Sequence, residues 1–255
     1  MRGYVPARWG QVHYSSVGSG DQTVALFHET PLNMHAFRRL APLLADRFRV
    51  VAFDTPGYGE SDGPSEPTTM EEYAETLAEA IEKLGLTRLV PFGLHTGASL
   101  ALQLAAATVA DRTDALVLSG VPYYDEDVRL ARRVPPVPPF TDDGAHLNHV
   151  FDWEPDAYDA QMRSRLVSGV CDDPDNAYLA FHAVYGYQPA KVLPSLSCPV
   201  TVLSNELDPL FRFDNRLVTD VPGARQVVVE AARLPIYWTN PEAVAAQIAA
   251  AATAD

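Results

Sequence analysis

Cysteine is nearly absent from this sequence, which contains only Cys171 and Cys198 among its 255 residues. So small a set offers neither a disulfide framework nor the spacing of a zinc site, and it fits a reducing compartment. Basic residues are also scarce, because 19 Lys and Arg face 33 Asp and Glu and leave a net charge of −14. Phosphate backbones and anionic membrane surfaces repel such a protein, so we expect neither nucleic acid nor a membrane as a partner.

Long apolar runs are lacking as well. No stretch approaches the roughly 18 residues of a membrane helix, and the first residues show no signal-peptide pattern, so we expect a cytoplasmic protein. There is no glycine-rich dinucleotide or phosphate loop, and His146 and His149 have no third ligand nearby in the sequence. We therefore predict no cofactor and no metal site. The segment GSGDQT near residue 20 predicts a hairpin turn between two strands.

Short apolar runs alternate with helical patterns along most of the chain. Near-continuous apolar strands of this kind are typical of a parallel sheet that is buried on both faces. A capping box and a closing Gly85 bound a predicted helix over 68–85, and MHAFRRLAPLLADRF and NPEAVAAQIAAAA have the same helical spacing. The predicted strands are VALFHE (24–29), RVVAFD (49–54), RLVPFG (88–93), ALVLSG (115–120), VTVLSN (200–205) and RQVVVE (225–230).

One region interrupts this alternation, because no convincing strand lies between residues 120 and 200. A structureless loop of that length is improbable in a compact domain. We expect an inserted helical subdomain, with helices near 156–168 and 175–186. Ligands of open α/β sheets bind at the carboxyl ends of the strands, and the unusual polar residues of this sequence follow strand ends. They are His28, Glu29, Thr30, Asp54, His95 and Asp208.

These residues and their surroundings resemble the α/β-hydrolase fold superfamily, in the style of its epoxide hydrolase, haloalkane dehalogenase and esterase branches. The resemblance implies an α/β fold, a mostly parallel sheet with helices on both faces, with 1–120 and 191–255 as the core and 121–190 as an inserted helical cap. It also implies an oxyanion hole formed by the backbone N–H groups of Thr96 and Thr30. The matching segments are HETPLNMHAFRRLAPLLADRFRVVAFDTPGYGESD for the oxyanion loop, helix and D-x-P-G-x-G-x-S turn, GLHTGA for the nucleophile elbow, CPVTVLSNELDP for the loop with the acid, and LPIYWTNPEAVAAQIA for the last loop and helix.

Three positions depart from the family's pattern. His95 stands where a serine, cysteine or aspartate nucleophile is expected, Arg233 best matches the position of the base histidine, and Glu29 replaces a glycine. No histidine follows residue 182, so no shift of the alignment restores the missing base, whereas Asp208 keeps the position of the acid. A serine-triad mechanism therefore lacks both its hydroxyl and its base.

An imidazole on this turn is well placed to act as a general base. In the favoured interpretation His95 removes a proton α to a carbonyl, the oxyanion hole holds the enolate, and a β-leaving group such as a carboxylate departs or a bond rearranges. This is lyase, isomerase or cyclase chemistry on a small, specialised natural-product metabolite. Alternatively, His95 activates water to hydrolyse an ester, lactone or epoxide. The third interpretation is a non-catalytic protein that binds a small ligand, which would have no use for an acid and a base beside an oxyanion hole.

The remaining candidates concern proton transfer and substrate binding. Glu29 is either an acid/base partner of His95 or a loop residue with a structural hydrogen bond. Arg233 either pairs with Asp208 or binds a carboxylate of the substrate through its planar guanidinium. We expect a monomer or homodimer that binds a small-molecule substrate. The aromatic and histidine side chains of the predicted cap that we expect to contact this substrate are Tyr123, Tyr124, Trp153, His182 and Tyr185, the last two sharing one helical face.

Overall fold

A central eight-stranded sheet organises the chain in the computed structural model, which describes residues 1–134, 140–152, 156–174 and 176–253. Its strands are β1 (Arg2–Ala7), β2 (Gly10–Val17), β3 (Thr23–Phe27), β4 (Arg49–Phe53), β5 (Leu89–Leu94), β6 (Leu116–Ser119), β7 (Val200–Ser204) and β8 (Arg225–Val228). Their order is β1-β2-β4-β3-β5-β6-β7-β8. Strand β2 is antiparallel to β1 and to β4, and all the other neighbours are parallel.

Helices cover both faces of this sheet. The α-helices are α1 (Ala41–Leu44), α2 (Met70–Lys83), α3 (Thr96–Gln103), α4 (Glu126–Ala131), α5 (Ala145–Phe151), α6 (Ala160–Asp172), α7 (Leu179–Gly186), α8 (Phe211–Asp220), α9 (Ile236–Thr239) and α10 (Pro241–Ala251). Short 3₁₀ helices occupy Met34–Arg38, Ala110–Arg112, Pro189–Lys191 and Leu193–Ser195, and a π-helical turn occupies Leu104–Thr108. None of the helices in the described ranges is long and apolar enough to cross a membrane.

The six strands predicted from apolar runs are all present as β3 to β8, and the mostly parallel sheet with helices is confirmed. The predicted hairpin at GSGDQT is wrong. Strand β2 pairs with β4, Tyr14 facing Phe53, so β4 lies between β2 and β3 and the segment connects two strands that do not pair. Strands β1 and β2 have no buried apolar run of the kind that β3 to β7 share. In β1 only Val5 is buried, and the buried positions of β2 include the polar His13 and Ser16.

The predicted helix over 68–85 is present as α2. The side chain of Thr69 accepts the backbone N–H of Glu72, which satisfies one of the donors at the start of the helix. The segment MHAFRRLAPLLADRF forms a 3₁₀ helix and the short α1 instead of one continuous helix. Pro42 is the reason, because it has no N–H for a helical hydrogen bond.

Helices α4 to α7 all fall between β6 and β7, inside the 121–190 segment. This segment is tied to the core by α7, whose Ala180 donates its N–H to the hydroxyl of Tyr58, 3.0 Å away, in the turn after β4. Buried side chains of α2, α3 and α7 fill one face of the sheet, and those of α1, α9 and α10 fill the other. The segment therefore stands over the carboxyl ends of the parallel strands.

Candidate active site

The turn at His95 joins β5 to α3. With φ 51° and ψ −112°, His95 is the one residue other than glycine with a positive φ in the described part of the chain. Such a backbone costs about 1 kcal/mol or more, and it persists where the surroundings enforce it. A Cβ atom on Gly93 would collide with the carbonyl of Gly97, and one on Gly97 with the carbonyl of Phe27. Close backbone approach thus requires both glycines, and the turn directs the imidazole away from the sheet.

The imidazole of His95 pairs with Asp208, which follows β7. Its Nε2 lies 2.8 Å from Oδ2 of Asp208, whose Oδ1 accepts the N–H of Leu210 at 2.8 Å. Because a carboxylate only accepts, Nε2 donates, and Nδ1 carries the lone pair of the neutral ring. Burial raises the pKa of Asp208, but the charge and hydrogen bond of His95 and the Leu210 N–H outweigh burial and hold the pKa below its ordinary value. We call His95 and Asp208 the dyad.

Gly120, directly after β6, provides the space in which the dyad meets. Its φ is 56°, a value that side chains rarely tolerate. A Cβ atom there would lie 2.6 Å from Cδ2 of His95 and 2.8 Å from Oδ2 of Asp208. Any side chain at this position therefore has to displace one member of the dyad. The sequence alone gave no sign of this role.

Glu29 is a buried carboxyl group at the end of β3. The hydroxyl of Tyr237, at the start of the last helical region, donates to its Oε2 over 2.5 Å. Its other oxygen, Oε1, is buried and has no hydrogen-bond partner among the residues described. Burial raises the pKa of Glu29 to about 6, although the Tyr237 hydroxyl and the charge of His95 oppose that rise. Near neutral pH this carboxyl group can therefore hold or release a proton.

His28 fixes the loop that carries Glu29 and Thr30. Its Nε2 accepts the N–H of Thr55 at 2.9 Å, and its Nδ1 lies 3.1 Å from the carbonyl of Glu29. Complete burial lowers the pKa of His28, so the ring is neutral and donates from Nδ1. Both of its nitrogens are used in holding the backbone, which leaves the chemistry to other groups.

Thr96 and Thr30 occupy the positions expected for an oxyanion hole. Thr96 is the first residue of α3, where backbone N–H groups have no acceptor within the helix. Both residues are buried, and both line the same cavity as His95. The positive end of α3 adds to the attraction for negative charge at this point.

A second buried carboxyl group lies behind the dyad. Asp214 on α8 is 1% exposed, and neither of its carboxyl oxygens has a hydrogen-bond partner in the described ranges. Burial raises the pKa of Asp214 to about 7; the charge of Asp208 adds to the rise, while Ser204 and His95 oppose it. Asp214 is thus protonated over most of the acidic range.

A cavity of about 220 Å³ lies above the dyad. It is smaller than the roughly 300–1,000 Å³ of pockets for drug-sized ligands, so it admits a small organic molecule. No group of three or more His, Cys, Asp or Glu side chains in the described ranges is arranged to hold a metal ion. The core contributes Glu29, Thr30, His95, Thr96, Pro209 and Leu210 to the lining, and the 121–190 segment contributes Tyr124, Arg132, Tyr158, Leu166, Phe181 and Tyr185.

Known proteins share this architecture. The family model described as "alpha/beta hydrolase fold" matches residues 22–161, more than half of the chain. The chain belongs to the α/β-hydrolase fold family. The resemblance seen in the sequence motifs is therefore confirmed.

Individual relatives of this α/β-hydrolase-fold protein are hydrolases. Haloalkane dehalogenase 2 of Mycobacterium tuberculosis is 32% identical over 127 residues, which are 48% of this chain and 44% of that protein. Bifunctional epoxide hydrolase 2 of Mus musculus is 31% identical over 147 residues, or 54% of this chain and 26% of that protein. The crystal structure of the enol-lactonase from Burkholderia xenovorans has a TM-score of 0.80 at 19% identity, and the alignment covers 99% of this chain and 100% of that one. The matched segments thus span less than half of each of the two sequence relatives.

Within the α/β-hydrolase frame, Arg233 lies away from Asp208. It is exposed, donates to the carbonyl of Tyr158 at 3.0 Å, and is not among the described residues that line the cavity. The Arg233–Asp208 pair, one of our two sequence-based alternatives, is wrong, because the carboxylate of Asp208 contacts His95 and the N–H of Leu210. Tyr237, in α9 just after this loop, is buried and donates its hydroxyl to Glu29.

The structure separates the predicted cap contacts. Tyr185 and Tyr124 line the cavity, and their rings are 6.2 Å apart. Tyr123 is instead buried beside α8, where its hydroxyl donates to Asp220 over 2.5 Å. His182 is exposed, because the helix face toward the cavity runs through Phe181 and Tyr185. Trp153 lies outside the described residues.

Sequence reasoning missed several residues of this site. Tyr237 lies within the LPIYWTNPEAVAAQIA segment that matched the last loop and helix, but nothing in that match pointed to a contact with Glu29. Phe181 and Tyr185 are spaced i, i+4, which places them together on α7 as well as the i, i+3 pair that we preferred. Arg132 and Asp214 gave no signal, since neither belongs to a motif of the family as read from the sequence.

Proposed function

We propose that this protein is an enzyme in which His95 is the general base, acting on a small carbonyl compound by β-elimination without a covalent intermediate. The observation that carries the proposal is the dyad itself. The 2.8 Å hydrogen bond to Asp208 orients the imidazole and stabilises the cation that forms when Nδ1 accepts a proton. No hydroxyl or thiol stands at the elbow position to form an acyl-enzyme, since the residue there is His95.

The proposed reaction transfers one proton and breaks two bonds of the substrate. Nδ1 of His95 takes the proton from the carbon α to the carbonyl, and the electron pair of that C–H bond forms an enolate. The N–H groups of Thr96 and Thr30 stabilise its oxygen, as donors aimed at developing charge do in other enzymes. The enolate then collapses to an α,β-unsaturated carbonyl, and the leaving group departs from the β-carbon with the electron pair of its bond.

Glu29 supplies the acid in this scheme. It lines the cavity with His95, and its pKa of about 6 leaves part of the population protonated near neutrality. A proton on the carboxyl group reaches a departing oxygen more favourably than one from water, because it is held in place. For a carboxylate leaving group the net reaction releases one enone and one carboxylic acid. The enzyme is restored when His95 releases the proton it took and Glu29 regains a proton from solvent, so no net proton is gained or lost.

Hydrolysis by a water molecule that His95 activates is the second candidate. The names of the relatives favour it, since proteins similar in sequence include a haloalkane dehalogenase and an epoxide hydrolase. In this scheme the same base takes a proton from water, and the water oxygen attacks an ester, lactone or epoxide carbon. Both schemes require His95, so the products have to distinguish them.

A β-acyloxy ketone such as 4-acetoxybutan-2-one makes that distinction in one tube. Elimination yields butenone and acetate, whereas ester hydrolysis yields 4-hydroxybutan-2-one and acetate, and only hydrolysis carries ¹⁸O from labelled water into acetate. We expect the wild type to form butenone and unlabelled acetate, and we expect His95→Gln to form neither product. Hydroxyketone with labelled acetate would replace the proposal by the second candidate, and equal turnover by His95→Gln would overturn both. A serine-directed phosphonate should leave the protein unlabelled.

A further inference from the structure

Arg132, in the 121–190 segment, is the one arginine or lysine among the described residues that line the cavity. Arg132, directly after α4, is exposed at the mouth of the cavity, and its side chain forms part of the lining with Tyr124 and Tyr185. Its guanidinium carbon lies 4.6 Å from the ring centroid of Tyr124 and 6.0 Å from that of Tyr185. Contacts of this kind hold a guanidinium in place by attraction to the ring faces.

The aromatic rings orient Arg132 without neutralising it. No carboxylate in the described ranges lies within ion-pair distance of Arg132, although acidic residues outnumber basic ones by 33 to 19. Neighbouring arginines do have such partners: Arg129 pairs with Glu126, and Arg216 pairs with Asp125. A fixed and uncompensated guanidinium at the mouth of a cavity is suited to a planar anion, above all a carboxylate.

Charge within the site makes this cation necessary for an anionic ligand. The net charge of −14 repels anions at a distance, and Glu29 adds a negative charge inside the cavity whenever it is ionised. Arg132 offsets that repulsion at one end, while His95 and the N–H of Thr96 receive the carbonyl at the other. A ligand that spans both ends carries a ketone or ester carbonyl and a carboxylate on one short chain.

We infer that Arg132 binds the carboxylate of the substrate, so that oxo acids are the substrate class of this enzyme. This inference rests on the proposed function for the carbonyl end of the ligand alone. Binding of the carboxylate by Arg132 requires no turnover and can be measured without it.

Levulinate (4-oxopentanoate) and its methyl ester are suitable probes, because they share the ketone and differ in charge. Ligand-observed NMR titrations would give the dissociation constant of each for the wild type, Arg132→Gln, Arg132→Lys and Arg133→Gln. Arg133 is the matched control, since it is the adjacent arginine and bonds only to the carbonyls of Leu130 and Arg132 among the contacts described.

We expect Arg132→Gln to raise the dissociation constant of levulinate about tenfold, the effect of one charge-assisted hydrogen bond, and to leave the dissociation constant of the methyl ester unchanged. Arg132→Lys should recover part of the affinity, and Arg133→Gln should behave as the wild type. Equal affinity of the wild type for acid and ester, or equal losses in Arg132→Gln and Arg133→Gln, would overturn the inference. His95→Gln separates the two proposals. If this variant binds levulinate as the wild type does and also turns over 4-acetoxybutan-2-one at the wild-type rate, the assignment of His95 as the base fails while the carboxylate site at Arg132 stands.

Discussion

Gly120→Ala tests whether the dyad depends on the space at the end of β6. The new Cβ would lie 2.6 Å from Cδ2 of His95 and 2.8 Å from Oδ2 of Asp208, well inside contact distance. The backbone at φ 56° costs an alanine about 1–2 kcal/mol. Separating the dyad forfeits a charge-assisted hydrogen bond worth about 1.5–3 kcal/mol. We therefore expect the free energy of unfolding to fall by about 2.5–5 kcal/mol, the sum of the two effects.

Gly85→Ala is the matched control for this substitution. Gly85 has a similar φ of 65°, and a Cβ atom there would meet nothing within 4 Å. The free energy of unfolding of Gly85→Ala should fall only by the backbone cost of about 1–2 kcal/mol, and this variant should keep full activity. Urea unfolding gives the free energies, and the rate of enone formation gives the activity, which should fall about 100-fold or more in Gly120→Ala as the base loses its orientation. Equal destabilisation of the two variants with unchanged activity of Gly120→Ala would refute the reasoning.

Four further substitutions follow from the same geometry. Glu29→Gln should lower the elimination rate about 100-fold and abolish the fall in rate above the pKa of about 6, since the amide has no proton to release; an unaltered pH–rate profile would contradict the acid role. Tyr237→Phe removes a hydrogen bond that lowers the pKa of Glu29, so this fall in rate should move to higher pH. Asp214, with a pKa of about 7 against an ordinary 3.8, binds its proton more tightly when folded, so its contribution to stability is complete at low pH and is lost as pH rises toward 7. In Asp214→Asn the unfolding free energy should therefore decline less between pH 5 and pH 8, by roughly 2–3 kcal/mol, because about two pH units of this window lie below the pKa of about 7. An unchanged decline in urea titrations would argue against a protonated Asp214. Arg233→Gln should leave the kinetics unchanged, because the side chain is exposed and outside the cavity lining; a marked rise in KM would restore its role as a substrate contact.

The framework of the fold was predictable because it depends on local patterns. Buried strands appear in the sequence as apolar runs. The elbow is marked by Gly93 and Gly97, because the lack of a side chain at these positions lets the backbone pass close to neighbouring carbonyl groups. Strands β1 and β2 carry no such pattern, because β1 is largely exposed and polar His13 and Ser16 occupy buried positions of β2. The antiparallel edge of the sheet and its connection to β3 could therefore not be predicted from the sequence.

The site was predictable only where a residue stays at the end of its strand. This holds for His95, Glu29 and Asp208. The contact between His95 and Asp208, however, joins residues 113 positions apart and requires that residue 120 has no side chain. Near the last loop Arg233 is exposed to solvent, whereas Tyr237 reaches Glu29. The direction of each side chain depends on the path of the backbone, which a match between sequences does not specify. On α7 a one-residue difference in register decides that Phe181 enters the cavity and His182 does not.

Proton abstraction by His95 is the central claim, and hydrogen–deuterium exchange at carbon measures it without requiring the natural leaving group. Levulinate in D₂O exchanges the protons next to its ketone when a base removes them and the enolate is reprotonated, and NMR follows the loss of those signals. We predict exchange well above the buffer rate with the wild type, a strong reduction in Asp208→Asn, and the buffer rate in His95→Gln. Exchange by His95→Gln at the wild-type rate, or none above buffer with the wild type, would contradict the assignment of His95 as the base.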